Sequence, residues 1–170
     1  MEIIKVDLPY PSVEVGKDLK SAFTILPAYS NAHGELNAVL TYTYNGFYFN
    51  KLKLKQYYDV IEGIAVCEME HLDLLGKLLL NLGLDPRYYY DNYGMNYYSA
   101  SFVQYSTEPQ IMLMDAISAE LVAIKNYTDI IEKLSNDKVK AVIKRIKMDE
   151  ELHVLTLKEL LKEYGRAETQ

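Results

Sequence analysis

Apolar residues recur every three or four positions along most of this chain, and the places where that rhythm stops divide it into segments. Between Lys53 and Leu82 the pattern runs through Val60, Ile64, Val66, Leu72, Leu75, Leu78 and Leu79, which predicts a long amphipathic helix closed by Gly83. A second long pattern follows Pro109, through Ile111, Met114, Ile117, Leu121, Ile124 and Tyr127 to about Leu134, with proline where a first helical turn tolerates it. Ser135-Asn136-Asp137 breaks this helix and caps another, which reaches about Tyr164 before Gly165. Upstream, Ser30 or Asn31 is expected to cap a helix to about Phe49, preceded by a short helical stretch from Lys17 that ends near Pro27. No segment carries the two-residue alternation of a strand. The prediction is an all-α, antiparallel four-helix bundle over residues 17–164, with an extended lead-in at 1–16 and a tail at 165–170.

Residues 84–108 are an exception to the short loops of compact domains, since Asp85-Pro86, Gly94 and a crowd of tyrosines interrupt any periodicity. A bundle that joins its second and third helices along its length needs such a crossover. Tyr88, Tyr89, Tyr90, Tyr93, Tyr97, Tyr98 and Tyr105 read as a packed or interfacial loop rather than a redox relay. The lead-in contains Pro9, Pro11 and Gly16 and shows no identifiable chemistry.

The two halves of the chain repeat each other. Glu35-Leu-Asn-Ala-Val-Leu-Thr-Tyr42-Thr matches Glu120-Leu-Val-Ala-Ile-Lys-Asn-Tyr127-Thr at five of nine positions. Glu68-Met-Glu-His71-Leu-Asp-Leu-Leu75 aligns with Glu150-Glu-Leu-His153-Val-Leu-Thr-Leu157 at the Glu, the His and the last Leu, with paired leucines following in both. Residues three apart on a helix differ by about 60° in direction, so Glu68 with His71, and Glu150 with His153, each face one way. Apolar neighbours place both pairs on the buried stripe, where an unpaired carboxylate costs several kcal/mol. Glu35, Glu68, Glu120 and Glu150 with two neutral imidazoles sum to four negative charges, which two divalent cations cancel. The bland alternative is a plain bundle with surface carboxylates, and the aligned repeat argues against it.

Charge and composition narrow the function classes. A net charge of −6 and a pI near 5.1, with no basic block, exclude a nucleic-acid partner. The N-terminus has no apolar signal core and no long apolar run occurs later, so a cytoplasmic protein without a membrane partner is expected. Cys67 is the only cysteine, which leaves oxygen and nitrogen as metal ligands. His33 would lie about 200° from Glu35 if both were helical, so it reads as a surface or structural residue.

The constellation Glu35, Glu68-x-x-His71, Glu120, Glu150-x-x-His153 resembles the ferritin-like di-metal carboxylate superfamily over residues 17–164. The resemblance implies two iron or two manganese ions, with Glu35 and Glu120 as terminal or bridging ligands, Glu68 and Glu150 bridging, and His71 and His153 on one ion each. It also implies that Asp149 hydrogen-bonds the far nitrogen of His71, a role for which Cys67, at the matching position, is poorly suited; a buried inert thiol is the other reading of Cys67. Tyr42 and Tyr127 stand seven residues after their glutamates, about 20° off in direction; the resemblance implies that they hydrogen-bond a carboxylate ligand or quench stray oxidants, and simple packing is the other reading. The expected catalyst is the metal pair itself.

Three activities compete within that resemblance. Rubrerythrin-like peroxidases need an external electron donor, a further Glu where this chain has Ala123, and usually a rubredoxin module, for which the cysteines are missing. Manganese-catalase-like proteins disproportionate hydrogen peroxide without a donor, and the proline-containing lead-in looks like that of their clostridial and spore-coat relatives. Ferritin-like iron oxidation, using dioxygen, fits the symmetric ligand set but implies a cage. A non-catalytic coat or assembly protein is the remaining class. The expectation is a homo-oligomeric, peroxide-handling oxidoreductase.

Overall fold

A computed structural model describes residues 2–89, 91 and 96–167. The described residues form five α-helices, α1 (Leu19–Ser30), α2 (Glu35–Lys51), α3 (Lys55–Asn81), α4 (Pro109–Lys133) and α5 (Asp137–Ala167), and a 3-10 turn at Ala100–Phe102. Among the described residues the only strand-like pairing is an isolated bridge between Tyr89 and Tyr97. Helices α2 to α5 are the predicted bundle.

Most helix ends follow their sequence signals. Asp18 accepts the amide of Ser21 at 3.0 Å to cap α1, and Asn136 Oδ1 accepts the amides of Lys138 and Val139 to cap α5. Gly83 closes α3 at φ +94, a left-handed conformation that costs other residues energy. Four boundaries differ. Helix α1 continues through Pro27 to Ser30, because a proline in the last turn removes one donor and Asn31 N–H still reaches Pro27 O at 3.2 Å. Helix α2 is capped by Gly34 and not by Ser30 or Asn31, because Ser30 still belongs to α1, residues 31–33 form a turn, and the chain enters α2 at a position where a Cβ would strike the carbonyls of Pro27 and Ala28. Helix α3 starts at Lys55, since Lys53 takes a left-handed φ of 59 to reverse the chain. Helix α5 runs past Gly165 to Ala167, since an exposed last turn absorbs the propensity cost of glycine.

The core lies in two pieces. One gathers Ile25 of α1, Leu78 and Leu79 of α3, Ile130 of α4, and Val142, Ile143 and Ile146 of α5. The other gathers Phe49 of α2, Ile61 and Ile64 of α3, Leu113 and Ile117 of α4, and Leu157 of α5. The C-terminal halves of α3 and α4 share the first piece and their N-terminal halves share the second, so these two helices are parallel. The segment between them must therefore travel the length of the bundle. It is pinned on the way: Tyr88 stacks on Tyr29 at 5.5 Å, Tyr98 donates to Asn37 at 2.7 Å, and Tyr105 meets Tyr44 edge-on at 4.9 Å. Tyr90 and Tyr93 lie outside the described residues. Between the two apolar pieces sits a layer of buried carboxylates and imidazoles.

Candidate metal centre

Each half of the bundle contributes a helix hairpin to this layer. Glu35 is the first residue of α2, Glu68 and His71 lie on α3, Glu120 on α4, and Glu150 and His153 on α5. All six are buried, with at most 4 % of any residue exposed. The Gly34 cap seats Glu35 at the positive end of the α2 dipole, which favours its anionic form.

The distances form a pattern with approximate two-fold symmetry. His71 Nδ1 lies 3.3 Å from Glu68, 3.2 Å from Glu150 and 3.7 Å from Glu35. His153 Nδ1 lies 3.0 Å from Glu68, 3.4 Å from Glu150 and 3.7 Å from Glu120. Glu68 and Glu150 thus reach both imidazoles, while Glu35 and Glu120 each reach one. Two sets of donor atoms result, Glu35, Glu68, His71 and Glu150, and Glu68, Glu120, Glu150 and His153, each within 4.8 Å of one another. The same inner atoms include Glu68 Oε1, both oxygens of Glu150 and His153 Nδ1, which are buried yet make no hydrogen bond. Orphaned oxygen and nitrogen donors converging at this spacing fit hard divalent cations.

Without cations, protons are the available counter-charge. Burial, and then the carboxylates of Glu68 and Glu150, push the Glu35 carboxyl well above its usual range, and the same causes act on Glu120. Burial opposes charging of His71, but the close approach of Asp149, Cys67, Glu150 and Glu35 outweighs it and raises its pKa; His153 behaves likewise, through Cys67, Glu120, Glu150 and Glu68.

The outer atoms of these groups are held in place by a surrounding set of partners. Tyr42 donates to Glu120 and Tyr127 donates to Glu35, so each tyrosine reaches across to the other half's carboxylate. Asp149 accepts from His71 Nε2 at 3.0 Å, and Arg145, Val6 N–H and Tyr10 hold Asp149 in turn at 2.7, 2.7 and 2.8 Å. Although burial raises the Asp149 pKa, these hydrogen bonds keep it far below the carboxylate range. Cys67 Sγ sits 3.5 Å from His71 Nε2. His153 Nε2 instead reaches the carbonyl of Ile4 at 2.8 Å.

Sequence reasoning missed Ile4, Tyr10 and Arg145. The lead-in has a role after all, because its backbone supplies hydrogen-bonding groups that no side-chain motif advertises. Arg145 left one signal, its position four residues before Asp149 on the buried face of α5. His33 is exposed as expected, but it sits in the non-helical link 31–34, so its angle from Glu35 had no meaning.

A cavity of about 160 Å³ descends to this layer between α2 and α4. Its floor includes Glu35, Glu68, Glu120 and Glu150, and its wall includes Ala38, Thr41, Ala116, Ala123 and Phe102, with His33 at one side. Among the described residues, no Asp, Lys or Arg lines it and its only glutamates are these four. Thr41 Oγ1 is buried and unpartnered there. Thr24, Thr43, Thr128 and Thr156, by contrast, all bond the carbonyl four residues back.

Comparison with known proteins agrees with this architecture. The solved structure of KatB, a manganese catalase from Anabaena PCC7120, superposes with a TM-score of 0.80 at 22% identity, covering 96% of this chain and 81% of that one. A wild-type KatB structure from Anabaena gives 0.80 and 22% with 94% and 80% coverage. At this identity the likeness speaks for the fold. No curated protein matches by sequence. The ferritin-like domain family matches residues 30–167, and the chain belongs to that ferritin-like family.

Proposed function

We propose that the chain is a di-metal oxidoreductase of the catalase type, with hydrogen peroxide as its substrate. The observation that carries this reading is the cavity, whose wall between α2 and α4 is built largely from small uncharged residues and whose floor is the four carboxylates that the two imidazoles adjoin. Neutral peroxide crosses such a wall without desolvating a full charge, whereas a hydrated ferrous ion would. Glu35 and Glu120 would cap one ion each, Glu68 and Glu150 would bridge, and His71 and His153 would complete the two sets. Iron or manganese bound there supplies two electrons and takes them back, so two peroxides yield two waters and dioxygen with no outside donor.

The protein's own contribution is placement. Tyr42 and Tyr127 hold the terminal carboxylates in one rotamer, and the two apolar core pieces exclude water above and below the layer. Thr41 offers the wall's free hydroxyl to a ligand in the cavity. Thr41→Val is therefore expected to raise KM for peroxide by about tenfold, the worth of one hydrogen bond, with Thr41→Ser restoring it. An unchanged KM with a more stable protein would show that the hydroxyl serves nothing. Filling the passage with Ala38→Phe is expected to cut kcat/KM about tenfold or more while bound metal stays the same.

Oxygen evolution from added peroxide, measured on iron-loaded and on manganese-loaded protein beside elemental analysis of the native protein, tests the reading. Stoichiometric ferrous oxidation with peroxide untouched would instead support the ferroxidase reading, which the symmetric donor set favours. Self-association accompanies our proposal, because α2 exposes Leu40 and Phe47 and has no charged residue between Glu35 and Lys51. Among the described residues no helix is long and apolar enough to cross a membrane.

A further inference from the structure

We propose that the N-terminal strap, residues 2–10, positions both histidines and thereby sets how fast the centre releases metal. The proposal rests on the di-metal reading above. It begins from a break in the two-fold repeat. Asp149 on α5 supports His71 on α3, and the matching position on α3 should support His153 on α5. That position is Cys67, which brings no carboxylate to His153. The Ile4 carbonyl stands in for it, 2.8 Å from His153 Nε2.

The strap also finishes the other half. Val6 N–H and the Tyr10 hydroxyl donate to Asp149, the group that orients His71. Arg145, only 5 % exposed, donates to the carbonyls of Val6 and Leu8 at 2.7 and 2.8 Å and lies against the Tyr10 ring at 4.5 Å. Ile4 N–H reaches Gly63 O at 3.3 Å on α3. Each imidazole therefore meets the strap at its outward nitrogen, His153 directly, with the Cys67 thiol beside it, and His71 through Asp149, which Arg145 also holds. A ligating histidine whose far nitrogen loses its partner swings more freely and binds its ion less tightly, typically by about 10- to 100-fold.

The strap is attached differently from the helices. It docks mainly through backbone hydrogen bonds, with only Ile4 and Tyr10 packed at the edges of the core. Coupling is reciprocal, so bound ions that fix the imidazoles must also hold the strap down.

Gly63 allows this to be tested away from the ligands. A Cβ at this position would overlap the carbonyl oxygen of Glu2 and press on Ile4 Cγ1, displacing the strap, while alanine strengthens rather than weakens helix α3. In manganese-loaded full-length Gly63→Ala, release of manganese to excess EDTA is expected to accelerate about 10- to 100-fold. The manganese paramagnetic resonance spectrum should change, and the thermal midpoint of the metal-free chain should hold. Arg145→Met, which frees the Val6 and Leu8 carbonyls, should accelerate release as well. In the unmodified chain, amide exchange at Ile4 and Val6 should slow when manganese binds. Release at the unmodified rate in both variants, or strap amides that ignore manganese, would overturn the proposal. An unmodified chain that retains no manganese removes the di-metal reading itself and this proposal with it, a result distinct from retained metal with unaltered release.

Discussion

Glu68→Ala is expected to lower bound iron or manganese from two ions per chain to fewer than one, and peroxide turnover should disappear with it. Glu68 is fully buried and lies within 3.3 Å of both imidazoles, so its two oxygens belong to both donor sets. Removing it takes a ligand from each ion and half of the bridge between them. The loss should exceed the roughly 10- to 100-fold that follows removal of a supporting partner. Glu68→Gln keeps the shape without the charge, and should fail to hold metal too if charge balance is what recruits the ions. Elemental analysis after exhaustive dialysis decides the matter. Undiminished metal in Glu68→Ala would mean that the ions bind elsewhere.

The metal-free chain should become less stable as pH rises from 5.5 to 8, the reverse of ordinary acid sensitivity. Glu35 and Glu120 have folded pKa values raised above the usual carboxylate range by burial and by their neighbouring carboxylates. His71 and His153 are raised as well, the close approach of their partners outweighing burial. Groups of this kind stabilise the fold fully below their unfolded pKa values and lose that contribution as pH climbs through the folded ones. Glu68, Glu150 and Asp149 are shifted down, so what they contribute is lost only in more acid solution, below the ordinary carboxylate range. Within the window the upward-shifted set governs. Each linked proton changes stability by about 1.4 kcal/mol per pH unit, which corresponds to a fall in Tm of roughly 3–5 °C per pH unit while that proton is being lost. Metal requires the same groups deprotonated, so the stabilisation by bound manganese should widen with pH. Calorimetry of both forms checks this, and a metal-free Tm that climbs with pH would refute the charge assignment.

Legibility in the sequence followed the range of each interaction. The bundle was readable because helix faces repeat with a local period, and the six candidate ligands were readable because Glu-x-x-His is a spacing on one helix repeated in both halves. Helix termini were less so. The start of α2 moved to Glu35 because Gly34 packs against the backbone of Pro27 and Ala28, a contact between segments that no capping preference encodes. The tyrosine partners crossed over for a similar reason: spacing aims Tyr42 toward the core, but only the packing of α2 against α4 puts Glu120, rather than its own Glu35, within its reach.

The sequence by itself determined the four long helices, the crossover between the second and third of them, and the six acid and imidazole side chains that face inward. Those follow from periodicity and charge. Tertiary structure alone decided which carboxylates are shared, where the cavity opens, and that the lead-in closes the far side of both histidines. Ile4 acts there through its carbonyl, a group every residue carries, so no pattern of side chains could mark it; only the approach of residues 2–10 to α3 and α5 gives that oxygen its partner.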